Sequence, residues 1–251
     1  MITLFHVPTH QINTAQFSSV LHDDIVLEFE NKFKEYVGAL HACSINSATN
    51  AIFLSLLNAN ETIRVSSIIP PVVLNAIIQS GNLIEFTDNV KWVGGSYTLH
   101  QFNDYKIIDS AQKVEQNQFK KEANPQDLMI FSFYPTKPIS SCDGGIIVSN
   151  DKNKIDWLKT AVRNGTSHHE ESWSREVKFA GWKMYMNSIQ AFIALNNLKN
   201  FNKKASRLDE IRNEYNTQLG LNNQSGHLYR VSVDNNLQTQ KNLFKLRACG
   251  P

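Results

Sequence analysis

Along the first two thirds of the chain, apolar residues come in short runs separated by amphipathic stretches. Leu27, Phe29, Phe33 and Tyr36 fall at helix-like spacing, which predicts a helix over 27–36 that Gly38 closes. Residues 41–45 read as a strand, and a second helix opens near Ser47 and runs to 57. A strand over 63–69, a helix over 72–80 stopped by Gly81, and a strand over 83–86 follow. The runs 105–108 and 128–133 read as buried strands, and 145–149 gives one more. Strands separated by helices predict an α/β fold, a three-layer sandwich on a mostly parallel sheet covered on both faces.

The pattern then changes. From 186 to about 219 no Gly or Pro interrupts a helical periodicity, so one long helix is expected. Gly220 and Gly226 bracket a loop, 227–233 alternates like a strand, and 238–248 reads as a last short helix. This predicts a large domain over 1–199, with 200–251 holding the end of the long helix and an incomplete small unit. The polar stretch between Gly165 and Gly181, with His168 and His169, reads as a loop.

Composition narrows the class. The chain has 251 residues, 41% hydrophobic and 19% charged, ordinary values for a soluble globular protein. A formal charge of +2 and the absence of a dense basic run give no reason to expect nucleic acid as a partner. No apolar stretch approaches the roughly 18–20 residues of a membrane span, and the first ten residues lack a signal-peptide pattern. Cys43, Cys142 and Cys249 are an odd, widely spaced set with no CxxC, which fits a reducing, cytoplasmic setting. No metal is expected. His6 and His10 have ligand-like spacing, but Pro8 between them argues against a helix.

Two strand ends carry the chemistry. The run ending at Ile108 delivers Asp109, and the run ending at Phe133 leads to Lys137 and then Asp143-Gly144-Gly145. Open α/β sheets bind ligands outside the carboxyl ends of their parallel strands. A carboxylate and a primary amine delivered there suit pyridoxal 5'-phosphate (PLP). The amine condenses with the cofactor's aldehyde, and the carboxylate keeps the ring nitrogen protonated so that the ring accepts electrons. Ser47, Ala48 and Thr49 open a helix whose free N–H groups and dipole favour a phosphate, although Ser47 serves equally as an N-cap.

The series of motifs resembles the DegT/DnrJ/EryC1/StrS sugar aminotransferases of PLP fold type I. Phe29 to Gly38 followed by His41-Ala42 is similar to that family's opening helix, and Asn46 to Ala51 to its small-hydroxyl turn. Asp109-Ser110-Ala111-Gln112 resembles D-x-A-Q/H, and Ser132 to Gly145 resembles S-F-x-x-x-K…[ED]-G-G. Gly181 to Met186 with Ile189-Gln190-Ala191 resembles G-Y-N-x-R-M…I-Q-A. The ordered set covers roughly 28–217.

The resemblance implies roles. Lys137 is then the lysine that carries PLP and shuttles the proton, and Asp109 the partner of the ring nitrogen. Gln112 lies against the ring, and Ser132, Ala48 and Thr49 hold the phosphate. Lys183 replaces an Asn that in relatives reaches a neighbouring subunit's phosphate, so a homodimer with shared sites is expected. The implied activity is transfer of an amino group, from glutamate, to a nucleotide-linked keto sugar in surface polysaccharide or deoxysugar synthesis. Ile68 to Val73 stands where relatives carry an aromatic and a Thr, and the small domain looks cut short. Those departures keep a second expectation open: a non-catalytic homologue acting as a subunit or interaction module.

Overall fold

Inside the central strands neighbouring side chains go to opposite faces, and both faces are apolar. Met129 and Phe131 of one strand pack into one core with Ile146 and Val148 of the next, while Leu128, Ile130 and Ile147 pack into a second core. A strand buried on both sides needs a layer on each, and the chain supplies helices for both. The computed structural model describes residues 9–87, 94–166, 174–222 and 229. In chain order the elements are α1 (Ile25–Val37), β1 (His41–Ile45), α2 (Ala48–Ser55), β2 (Thr62–Ser66), α3 (Pro71–Gln79), β3 (Leu83–Thr87) and β4 (Tyr97–Gln101). They continue as β5 (Lys106–Asp109), α4 (Gln118–Glu122), β6 (Leu128–Ser132), β7 (Gly145–Ser149), α5 (Lys152–Ala161), α6 (Ser188–Lys199) and α7 (Phe201–Leu219).

The first core joins α1 and α6 to the sheet through a cluster of rings. Phe33 meets Phe131 and Phe133 edge-on at 5.0 and 5.3 Å, and Phe29 meets Phe133 at 5.1 Å. The second core lies under α2, α3 and α5, with Ala51, Ile52, Ala76, Ile77, Ile155 and Leu158 buried. The three-layer α/β expectation holds.

The mostly parallel sheet does not. The five-stranded sheet runs β1-β7-β6-β5-β4, and only β5 and β6 are parallel neighbours within it. β7 runs antiparallel to both β1 and β6, and β4 antiparallel to β5. Connection length explains this: parallel neighbours need a crossover of a dozen or more residues, usually a helix. Residues 102–105 between β4 and β5 are too few for one, so the chain folds back as a hairpin. Between β6 and β7 the chain forms a loop with no helix and returns beside the strand it left. β2 and β3 form a separate parallel pair.

The long helix is divided at Asn200, whose backbone (φ −101°, ψ 2°) ends α6 before α7 begins. Its side-chain amide donates to the Asn196 carbonyl at 3.1 Å, satisfying a last-turn acceptor. The expected strand over 227–233, the helix over 238–248, and His6, His168, His169 and Cys249 lie outside the described residues, Tyr229 excepted. Among the described residues no helix is long and apolar enough to cross a membrane.

Candidate active site

Sheet register brings the polar groups to one place. Asp109 ends β5 opposite Ile130, and Ser132 follows two residues later on β6, so both face the side that carries α2. Ser132 in turn pairs with Gly145 at the start of β7. A Cβ on Gly145 would stand 2.7 Å from the Ala48 amide nitrogen and 2.9 Å from the Ser47 carbonyl carbon. Only a glycine lets β7 approach the first turn of α2 this closely. Ser47 caps that helix, its Oγ accepting from the Asn50 N–H at 3.2 Å. Ala48 and Thr49 lie in the first turn, where backbone N–H groups have no carbonyl partner within the helix.

Asp109 is 4% exposed and bonded at both oxygens. Oδ1 accepts from the Ala111 N–H at 2.9 Å, and Oδ2 accepts from the Tyr97 hydroxyl at 2.7 Å. Burial pushes its carboxyl above the ordinary carboxylate value, while the Tyr97 hydroxyl, the Ala111 N–H and the positive charge of Lys137 oppose the rise. Lys137 therefore lies within electrostatic reach of Asp109. Burial, and then the charge of Asp109, hold the Tyr97 phenol well above its usual value, so the hydroxyl keeps its proton and donates.

The loop that carries Lys137 is held from several sides. The Lys137 N–H donates to the Tyr134 carbonyl at 2.9 Å, and the Ser141 N–H to the Phe133 carbonyl at 2.7 Å. From α7, Lys204 donates to the Pro138 carbonyl at 2.8 Å, and from α6, Asn197 donates to the Ser140 carbonyl at 2.7 Å. Gln190 links two parts of the site: its carbonyl accepts from Ser141 Oγ at 2.8 Å, and its Nε2 donates to the Asn46 carbonyl at 3.2 Å. The half-buried Asp143 carboxylate accepts from the Gly144 N–H at 2.7 Å.

The structure thus gathers Asp109, Ser132, Ser47, Ala48 and Thr49 on one side of the sheet, with the charge of Lys137 acting on Asp109. Gln112 is half-buried three residues after Asp109. Lys183 is exposed in the segment whose backbone pairs with Arg163, one residue from the Met184 carbonyl that accepts from the Asn46 N–H at 2.7 Å. It stands beside the turn rather than among the gathered groups. Reading the sequence alone misses Tyr97, Asn197 and Lys204. The glycine pair before Tyr97 and the alternation of 97–101 are the signals of a hairpin strand that would have placed Tyr97 opposite Asp109.

These groups fit PLP by their chemistry. A primary amine and a buried carboxylate lie within electrostatic reach of each other, and a helix N-terminus with a neighbouring hydroxyl offers a cradle for phosphate.

Comparison with known proteins agrees. A family model, the DegT/DnrJ/EryC1/StrS aminotransferase family, matches residues 11–88 and 105–245. UDP-4-amino-4,6-dideoxy-N-acetyl-beta-L-altrosamine transaminase of Campylobacter jejuni is 26% identical, with 88% of this chain and 70% of that protein covered. The spore coat polysaccharide biosynthesis protein SpsC of Bacillus subtilis is also 26% identical, over 76% of this chain and 61% of that protein. Among solved structures, Helicobacter pylori PseC, an aminotransferase involved in the biosynthesis of pseudoaminic acid, superposes with a TM-score of 0.64 at 21% identity. That match covers 83% of this chain and 66% of PseC. The PLP-form of the putative sugar aminotransferase Spr1654 from Streptococcus pneumoniae gives a TM-score of 0.67 at 16% identity, over 82% of this chain and 67% of Spr1654. The chain thus spans between 61% and 70% of the length of these relatives. With the motifs in order, the strand-end groups gathered and the family model matched over most of its length, this chain belongs to the DegT/DnrJ/EryC1/StrS aminotransferase family.

Proposed function

We propose that this protein is a PLP-dependent aminotransferase that moves an amino group, from glutamate, onto a keto sugar carried on a nucleotide. The observation that carries the reading is the buried Asp109 carboxylate at the end of β5, with the charge of Lys137 from the β6–β7 loop acting on it and the first turn of α2 on the same side of the sheet. Bound PLP supplies an electrophilic aldehyde and a ring that accepts an electron pair. Lys137 would hold that aldehyde through its primary amine. With the amino donor bound, the free Nζ of Lys137 would serve as the base that takes and returns the proton of the donor's α-carbon. Asp109 would hold a proton on the ring nitrogen by its negative charge. Ser132 Oγ and the N–H groups of Ala48 and Thr49 would hold the phosphate, and Gln112 would border the ring. Transfer in two halves through one site predicts ping-pong kinetics.

The substrate class rests on the names of the relatives, which include a UDP-4-amino-4,6-dideoxy-N-acetyl-beta-L-altrosamine transaminase and a GDP-perosamine synthase. In the same reading the protein is a homodimer, with Lys183 offering its charge to the neighbour's phosphate site. The test loads the purified protein with PLP, adds glutamate alone, and follows the visible spectrum in a single turnover. UDP-linked 4-keto sugars are then added. Conversion by glutamate and regeneration by the keto sugar are expected. PLP binding without response to any amino donor would overturn the transferase reading in favour of a non-catalytic homologue.

A further inference from the structure

We propose that Tyr97 is a positioning residue for Asp109: its hydroxyl, delivered from β4, fixes the carboxylate that would hold the ring nitrogen of PLP. The inference rests on the PLP reading and goes beyond it. Tyr97 and Asp109 are directly opposed across the β4–β5 hairpin, and the hydroxyl donates to Oδ2 at 2.7 Å. The Ala111 N–H holds Oδ1. A carboxylate offers about four lone pairs. Gripping one on each oxygen stops the group rotating and leaves the others in a set direction, which is what a fixed electrostatic partner requires.

The strand that brings Tyr97 is itself pinned. The fully buried Gln118 donates to Ser96 Oγ at 2.8 Å and to Ser110 Oγ at 2.6 Å, so the residue before Tyr97 and the residue after Asp109 share one anchor. The two serine hydroxyls are 3.1 Å apart. The family model matches up to residue 88 and resumes at 105, so β4 lies wholly in the stretch it skips.

The test is a double-mutant cycle of Tyr97→Phe and Asp109→Asn, read by PLP affinity from absorbance titration and by the visible band of bound PLP. Y97F removes one oxygen and keeps the ring. In the parent background it should weaken PLP binding about tenfold and shift the band, the usual scale for losing a hydrogen bond to a charged group. In the D109N background the same change should do nothing further, because Tyr97 acts only through the carboxylate. A purely structural tyrosine would give additive losses. Failure of Y97F to fold while the double variant folds would show the same coupling in stability. Failure of both to fold would overturn the proposal. Unchanged affinity and spectrum in Y97F would overturn it while leaving the PLP reading intact, and tighter binding by Y97F would mark Tyr97 as an obstruction. A parent protein that takes up no PLP would instead refute the proposed function.

Discussion

Gly145→Ala is the most direct mechanical probe of the phosphate cradle. The added methyl would sit 2.7 Å from the Ala48 nitrogen, 2.8 Å from its Cα and 2.9 Å from the Ser47 carbonyl carbon. All three are backbone atoms, so no side chain can swing aside. Either β7 or the first turn of α2 must shift by several tenths of an ångström. Overpacking of this kind costs about 1–3 kcal/mol. In a chain of this size each kcal/mol lowers Tm by about 2–4 °C, so a fall of roughly 2–12 °C is expected. The strain also falls on the N–H groups assigned to phosphate, and PLP affinity should drop at least about tenfold, since 1.4 kcal/mol is a factor of ten. Gly81→Ala is the control. Gly81 has φ +86° with nothing within 4 Å of the added carbon, so its cost of about 1–2 kcal/mol is backbone strain alone, and PLP affinity should stay unchanged. Calorimetry and PLP titration of both variants decide the matter. A G145A protein with parental Tm and parental affinity would refute the close approach of β7 to α2.

Asp109→Asn should separate the two roles of that charge. Its folded pKa lies above the unfolded one, so the folded state binds more protons just above the ordinary carboxylate range, and stability of the PLP-free protein falls as pH rises through that window. The Asn variant should lack that loss and melt no lower than the parent at pH 7 without PLP, yet gain less from added PLP; a lower melt without PLP would contradict the sign. Lys159→Ala leaves Glu30, 4% exposed and also bonded by the Ser44 N–H and Oγ, without its cation at 2.8 Å. Breaking a buried pair costs about 3–5 kcal/mol. Because the Lys159 side chain is 31% exposed, the loss should be about 2–3 kcal/mol by urea titration, with PLP affinity unchanged. A loss under about 0.5 kcal/mol, the ordinary surface range, would show the pair to be solvent-screened.

What the sequence discloses follows from where the physics is local. β1 and β7 match expectation residue for residue, since Ala42, Cys43 and Ile45 of β1 and Ile146 to Val148 of β7 are buried on both faces of the sheet. α1 and α3 are framed by Gly38 and Gly81 and fall within a residue or two of their expected bounds. β4 is missed because Tyr97 to Gln101 is short and partly polar, and Leu99 alone in it is buried. The direction of β4 and β7 is set by loop length rather than by strand composition, so strand alternation with helices suggests a parallel sheet that the short 102–105 link forbids. The continuous helical pattern beyond 186 hides the break at Asn200, whose side chain, rather than a Gly or Pro, ends α6. At the site, Asp109 and Lys137 stand out in the sequence because their chemistry is carried by residue type, at the end of β5 and in the loop after β6. The groups that hold them are distant in sequence: Gln190, Asn197 and Lys204 reach the lysine loop from α6 and α7. No local pattern marks such long-range contacts.

The central claim is that Lys137 carries the cofactor beside Asp109, and one measurement addresses it most directly. The protein is loaded with PLP, reduced with borohydride, digested and mapped by mass spectrometry. The account predicts one stoichiometric reduced pyridoxyl adduct, on Lys137, which disappears in Lys137→Ala. An adduct confined to another lysine, or none after full loading, would contradict it.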